Sequence, residues 1–189
     1  MKKISGKLFK NLAFAIVTCF MFQCVCFAYE TVLVSFPNDN WYRAFYENRT
    51  TESIVQYFPS GQAKDDFKES VVFHSYKWAF SKRDLVAKQV LAYLLSQSTM
   101  HYRDVSLTYL RNETNDAMAV WCSASASQCE IVRVSRGYEG IIAMHYINNN
   151  PQYFQSVSPT WINIIKNIRI YYSYYRWDTI MNKRYTVEL

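Results

Sequence analysis

Residues 117–147 read AMAVWCSASASQCEIVRVSRGYEGIIAMHYI, and this stretch decides the fold. Apolar and β-branched residues fall in three short runs separated by small and polar ones, the pattern of three consecutive antiparallel strands. Cys122 and Cys129 stand at the two ends of the first loop. The second connection is a tight turn over Gly137, Tyr138, Glu139 and Gly140, where two of the protein's four glycines fall close together. In the third run, alternation sets Ile141, Ala143, His145 and Ile147 on one face and Ile142, Met144 and Tyr146 on the other. Both faces are mostly apolar, which marks an interior strand covered on both sides.

Working outward, residues 31–36, 41–48, 53–58 and 70–76 read as four earlier strands, divided by turn signals such as Pro37-Asn38-Asp39-Asn40 and Pro59-Ser60-Gly61. The period then changes. Ser81 and Asp84 have the shape of a helix start, and Ala87, Val90, Leu91, Leu94 and Ser98 recur at helical spacing, predicting an amphipathic helix of about four turns. A strand over 105–111 leads into the central three. Asn148-Asn149-Asn150-Pro151 breaks the sheet, a short helix from Gln152 follows, and Pro159 opens a long C-terminal helix through about Tyr175. Its expected buried stripe is Trp161, Ile164, Ile165, Ile168, Tyr172 and Tyr175. The expected fold is α+β: an antiparallel β-sheet of about seven to eight strands with two main helices packed on it.

The opening MKKISGKLFKN carries four lysines and no acid, and an apolar run from Leu12 to Ala28 follows. With Cys26 and Ala28 at the minus-three and minus-one positions, residues 1–28 read as a secretory signal peptide and residues 29–189 as a single α+β domain. The membrane enters only through that segment if it stays uncleaved, since the run is short of the roughly 20 residues of a spanning helix. The full chain has 21 basic and 15 acidic side chains. Four of those lysines lie in the first 28 residues, so the remainder carries 17 against 15. Such interspersed, nearly balanced charge lacks the concentrated basic face of a nucleic-acid binder. Three of the five cysteines also fall in the signal, leaving Cys122 and Cys129 as an even pair for an oxidising compartment. Their spacing is not CxxC and no histidine is close in sequence, so a structural disulfide is expected. The lysine-rich start looks bacterial, and the expected location is the periplasm or the cell exterior.

Several residues form a familiar set: Trp41, the run Tyr57-Phe58-Pro59-Ser60-Gly61-Gln62, then Phe67 and Glu69, the run from Cys129 to Val134, the segment from Gly137 to Tyr146, and Trp161. Together they resemble small exported proteins of Gram-negative bacteria that have no assigned activity, whose architecture is similar to the PsbP/Mog1-like sandwich. Phe67 stands where the resemblance would place a Trp. That architecture implies docking or assembly, with an accessory place in a cell-envelope or secretion assembly, rather than chemistry.

Candidate chemistry is sparse. His74, His101 and His145 are each eligible as a general base or metal ligand. His74 and His145 alternate with apolar strand residues and read as satisfied sheet histidines; His101 reads as a loop residue. Arg133 shares a strand face with Ile131, and if buried it would need a partner such as Glu69 or Glu130. Tyr171, Tyr174, Tyr175, Arg176 and Trp177 are of the residue types enriched at interface centres and are the expected partner-binding group. The resulting expectation is a non-catalytic protein that binds another envelope protein, with no cofactor, no metal and no catalytic set. The alternative is a small periplasmic hydrolase using His145 or His74 with a carboxylate.

Overall fold

The computed structural model describes residues 29–38, 40–64, 66–77, 85–173 and 186–189. The proposed signal peptide, over residues 1–28, and the helix start at Ser81 and Asp84 lie outside them. Among the described residues the elements run β1 (Tyr29–Leu33), β2 (Trp41–Asn48), β3 (Glu52–Pro59), β4 (Glu69–Lys77), α1 (Ala87–Thr99), β5 (Val105–Asn112), β6 (Asp116–Ser123), β7 (Gln128–Arg136), β8 (Gly140–Asn148), α2 (Pro151–Asn167), β9 (Arg169–Ser173) and β10 (Thr186–Glu188).

Seven strands form one antiparallel sheet in the order β2-β3-β4-β8-β7-β6-β5. β8 is its middle strand, hydrogen-bonded to β4 on one side and β7 on the other, which is the place its two apolar faces require. On one face Ile141 and Ala143 join Ala117, Ala119, Trp121, Val132 and Val134 beneath Ala87, Leu91 and Leu95 of α1. The alanines on β6 and β8 leave room for the helix to lie close. On the other face Ile142, Met144 and Tyr146 join Val55, Phe73, Met118 and Ile131 beneath α2 and a second, three-stranded sheet. That smaller sheet has the order β10-β1-β9. The molecule is thus an α+β sandwich of three layers, and a buried Leu, Ile or Phe in either interior contributes about 1.5–3 kcal/mol.

Two elements differ from the sequence reading. β1 pairs with β9 and β10 rather than extending the main sheet. The C-terminal helix is one continuous helix, Pro151–Asn167, and ends well before Tyr175. Asn150 caps its start by accepting from the backbone N–H of Gln152 and Tyr153, both at 3.1 Å. Pro159 sits within it on the exposed side; where its missing N–H leaves the Gln155 carbonyl short of a donor, the Ser158 hydroxyl approaches at 3.4 Å. At the far end Ile168 is extended (φ −57°, ψ 133°), and the β-branched and aromatic run that follows pairs as a strand with β1.

Arg133 explains that ending. Its side chain lies on the α2 face of β7, and Nη1 donates to the carbonyls of Ile165, Lys166 and Ile168 at 2.9, 3.1 and 3.0 Å. A helix terminus leaves its last carbonyls short of donors, and Ile165 otherwise has only the Ile168 N–H, at 3.4 Å. Nε and Nη2 grip both carboxylate oxygens of Asp116 at 2.8 and 3.0 Å. The partner is therefore Asp116, on the neighbouring strand, and not Glu69 or Glu130, which the strand pattern had suggested. Burial disfavours the Asp116 charge, but the bonds and charge of Arg133 outweigh it, with help from Ser135 and Arg111, and hold the carboxyl below its ordinary range.

The glycine turn is fixed from outside. Gly137 N–H donates to the Gly140 carbonyl at 2.8 Å, closing the turn. A Cβ on Gly137 would stand 1.8 Å from Oε1 of Glu30, and one on Gly140 would stand 1.9 Å from the Tyr76 carbonyl oxygen. Glu30, from β1, is buried at 1% exposure; Oε1 accepts from the Tyr138 N–H at 2.6 Å, while Oε2 has no partner among the described residues.

Burial pushes the Glu30 carboxyl up from its ordinary 4.5 to about 7, against the pull of the Tyr138 N–H. Between those values the folded chain holds a proton that the unfolded chain has lost, so this group's contribution to stability falls as pH rises from about 4.5 through about 7. Glu30→Gln should remove a pH-dependent loss on the order of 3 kcal/mol, read as the difference between wild-type and variant urea-unfolding free energies at pH 4.5 and pH 8. A difference independent of pH would count against the assignment.

Candidate functional site

Cys122 and Cys129 face each other in the β6–β7 register and are joined by a disulfide, S–S 2.02 Å and Cα–Cα 4.0 Å. The bridge fits an oxidising compartment. Among the described residues no helix is long and apolar enough to cross a membrane. Tyr171 lies on β9 and is 41% exposed; Tyr174, Tyr175, Arg176 and Trp177 are outside the described residues. The helical presentation assumed for this aromatic run does not hold for Tyr171, which belongs to a strand.

The structure instead brings together a different aromatic group. Phe36, just after β1, stacks on Trp41 at the head of β2 (centroids 5.2 Å, planes 10° apart). Trp41 meets Trp161 of α2 edge-on at 5.2 Å, and Trp161 stacks on Tyr146 of β8 at 4.2 Å. Tyr57 of β3 closes on Phe36 at 5.1 Å. Offset and edge contacts of this kind add about 0.5–1.5 kcal/mol per pair beyond burial, so the wall is stiff.

One carboxylate is set into that wall. The Tyr146 hydroxyl donates to Glu69 Oε2 at 2.7 Å and accepts from Asn148 Nδ2 at 2.9 Å. Burial, then the Glu69 hydrogen bond, push the phenol far above its ordinary range, so Tyr146 stays a donor at any physiological pH. The loop after β3 fixes Glu69: Gln62 Oε1 accepts from the N–H groups of Lys68 and Glu69 at 2.6 and 3.2 Å, and the Gln62 carbonyl accepts from Tyr42 at 2.5 Å. Phe67 packs on Phe58 at 5.2 Å. Beside this group lies an open cleft of about 210 Å³, bounded by Pro37, Asn38, Trp41, Glu69, Tyr153 and Trp161. Trp41, Tyr57, Gln62, Glu69, Tyr146 and Trp161, scattered over the chain, thus surround or support one place.

The histidines lie on the opposite, α1 side of the sheet. His145 Nδ1 hydrogen-bonds Glu130 Oε1, and Trp121 Nε1 donates to Glu130 Oε2 at 2.8 Å. His74 Nε2 is 2.9 Å from Glu52 Oε2 and its ring lies over Tyr76 at 3.9 Å. Burial lowers the His74 pKa; Glu52 opposes this and His145 adds to it. His74 and His145 are diagonal neighbours, because His74 stands opposite Ala143 and His145 opposite Val72. Each is an imidazole oriented by a carboxylate, the base half of a nucleophilic pair. Among the described residues neither is hydrogen-bonded to a Ser, Thr or Cys side chain, and no three His, Cys, Asp or Glu side chains converge to hold a metal ion. His101 is exposed in the turn after α1.

Sequence periodicity could place each of these residues on a face but not the faces together. The cleft joins the loop after β1 to β2, β4 and α2, and in the sequence only the aromatic content hinted at it. No protein-family model matches the chain, and no curated protein matches it.

Tyr146→Phe removes a hydroxyl that bridges the half-buried Glu69 carboxylate and the buried Asn148 amide, so that Glu69 Oε2 and Asn148 Nδ2 lose that partner while Asn148 Oδ1 keeps the Asn150 N–H. It should cost about 1–3 kcal/mol in chemical denaturation, with no change in far-UV circular dichroism. A loss below 0.5 kcal/mol, an order-of-magnitude threshold set by ordinary surface substitutions, would mean the network is not formed.

Proposed function

We propose that this is a non-catalytic protein of the periplasm or cell exterior that acts by binding another envelope protein, as an accessory component of an envelope or secretion assembly. The observation that carries this reading is the edge strand β5. It lies at the end of the seven-stranded sheet, paired with β6 alone among the described residues. Ser106 to Leu110 are all exposed, including Leu107 at 41%, Tyr109 at 51% and Leu110 at 44%.

Natural edge strands are usually blunted by charge, proline, bulges or short length, because their free N–H and C=O groups recruit other strands. β5 runs eight residues and bulges between Tyr109 and Arg111, but its first five, Val105 to Tyr109, carry neither charge nor proline. An extended segment of a partner protein adding to this edge satisfies the backbone groups and covers Leu107 and Tyr109. The disulfide, closing the β6–β7 loop next to this edge, supports an exported setting. Tyr171, exposed on β9, with Tyr174, Tyr175, Arg176 and Trp177 beyond it, is the second proposed contact. The PsbP/Mog1-like resemblance belongs to the same reading.

A hydrolase using His145 or His74 is the second reading, and the two imidazole–glutamate hydrogen bonds favour it. Turnover of an ester or peptide substrate that disappears in His145→Gln or His74→Gln would establish it in place of binding.

For the favoured reading, the test is crosslinking in intact cells with mass spectrometry of what co-purifies. Leu107→Lys with Tyr109→Lys should reduce the crosslinked partner at least tenfold while Tm shifts by only a few degrees, as expected for exposed positions. Undiminished recovery from a folded variant would overturn it.

A further inference from the structure

The cleft beside Trp41 lies on the α2 side of the sheet, near its β2 end, away from β5, and its chemistry points to a ligand of its own. We propose that it is a binding site for an organic cation, a primary ammonium or guanidinium group, held between the Glu69 carboxylate and the Trp41 and Tyr153 rings, with the buried Trp161 behind them.

Three observations carry this. First, Glu69 is a half-buried carboxylate with no Lys, Arg or His bound to it among the described residues, although the other hydrogen-bonded carboxylates there, apart from the serine-bound Asp104 and Glu30 on the Tyr138 N–H, have a cationic or histidine partner. Its Oε2 accepts from Tyr146. Among the described residues Oε1 has no hydrogen-bond donor and is left for a ligand. Second, the remaining lining is aromatic or neutral: Trp41, Trp161 and Tyr153 with Asn38, Ser156 and Thr160. A cation against such rings gains about 0.5–2 kcal/mol from the ring quadrupole, and it neutralises the carboxylate, which a neutral or anionic ligand would not. Third, the size is selective. At about 210 Å³ the cleft is smaller than the roughly 300–1,000 Å³ of pockets that enclose drug-sized molecules. One extended side chain or a small amine fits.

The site is also built to stay open. Trp161 is held at 2% exposure by its stack on Tyr146, and Tyr146 is fully buried. Glu69 is fixed at its backbone by Gln62 and at its carboxylate by Tyr146. A ligand therefore orders little that is not already ordered, which lowers the cost of binding. Two sources share this chemistry: a Lys or Arg side chain of a protein, and a free amine such as a diamine.

The test is titration of the exported form of the full domain, disulfide intact, with N-acetyl-lysine-N-methylamide, N-acetyl-arginine-N-methylamide, 1,4-diaminobutane and glucose, read by tryptophan fluorescence and calorimetry. At least one cation should bind, glucose should not, and Glu69→Gln should weaken binding at least tenfold. That variant keeps an acceptor for Tyr146 and loses only the charge, and its Tm reports whether it folds. Tyr153→Ala, at an exposed position on α2, should weaken binding threefold or more and serves if the first variant unfolds. Tighter binding of the blocked amino acids than of the diamine assigns the cation to a protein side chain; the reverse order assigns it to a free amine. No saturable binding of any cation, equal binding by Glu69→Gln, or preference for glucose would overturn the proposal. None of these results depends on whether β5 recruits a partner.

Discussion

The arrangement depends on one buried guanidinium. Arg133 comes from the middle of β7, spans the gap to α2, and supplies the donors that the last turn of that helix lacks, while Asp116 balances its charge from β6. A buried arginine without that carboxylate would be costly, and a helix ending inside the protein without those donors would be costly too. Each problem is the other's solution. By closing α2 at Asn167, the pair lets the chain leave as β9 and cross to β1, so the second sheet forms at all.

That second sheet places the cleft. β1 carries Glu30 to the glycine turn and leads on to Phe36 against Trp41, while α2 sets Trp161 against both Trp41 and Tyr146. The same layer that fills the core on the α2 face therefore builds the aromatic wall at its rim. On the other face α1 covers β6, β7 and the start of β8, and the two histidine–glutamate pairs sit along the boundary of that cover. Each imidazole there is satisfied by its carboxylate, which is how a half-covered sheet tolerates them.

Local pattern was a sound guide where one residue's burial depends on its own strand. The alternation in residues 141–147 placed β8 in the middle of the sheet, and the cysteine spacing matched a cross-strand bridge. It misled where the answer depended on a distant group. Ile168 to Tyr175 has apolar spacing compatible with a helix, and nothing within that run reveals that Arg133 ends the helix at Asn167 or that β1 is waiting to pair. Arg133 was legible as a charge that would need a partner if buried, yet its acid is Asp116, which stands opposite Ser135 on β6, diagonal to Arg133. Glu69 was visible as a carboxylate near a turn, with no sign that Tyr146, 77 residues away, would bind it.

The sequence by itself determined the alternating strands, the apolar stripe of the first helix, the near-neutral charge of residues 29–189 and the single cysteine pair within them, because these follow from periods of two and 3.6 residues and from composition. Only the tertiary structure decided where α2 stops, which sheet β1 joins, and that Trp41, Glu69 and Trp161 line a cleft with Tyr146 behind it. Those outcomes are set by contacts between residues far apart in the chain, whose energies depend on distances that no local pattern contains.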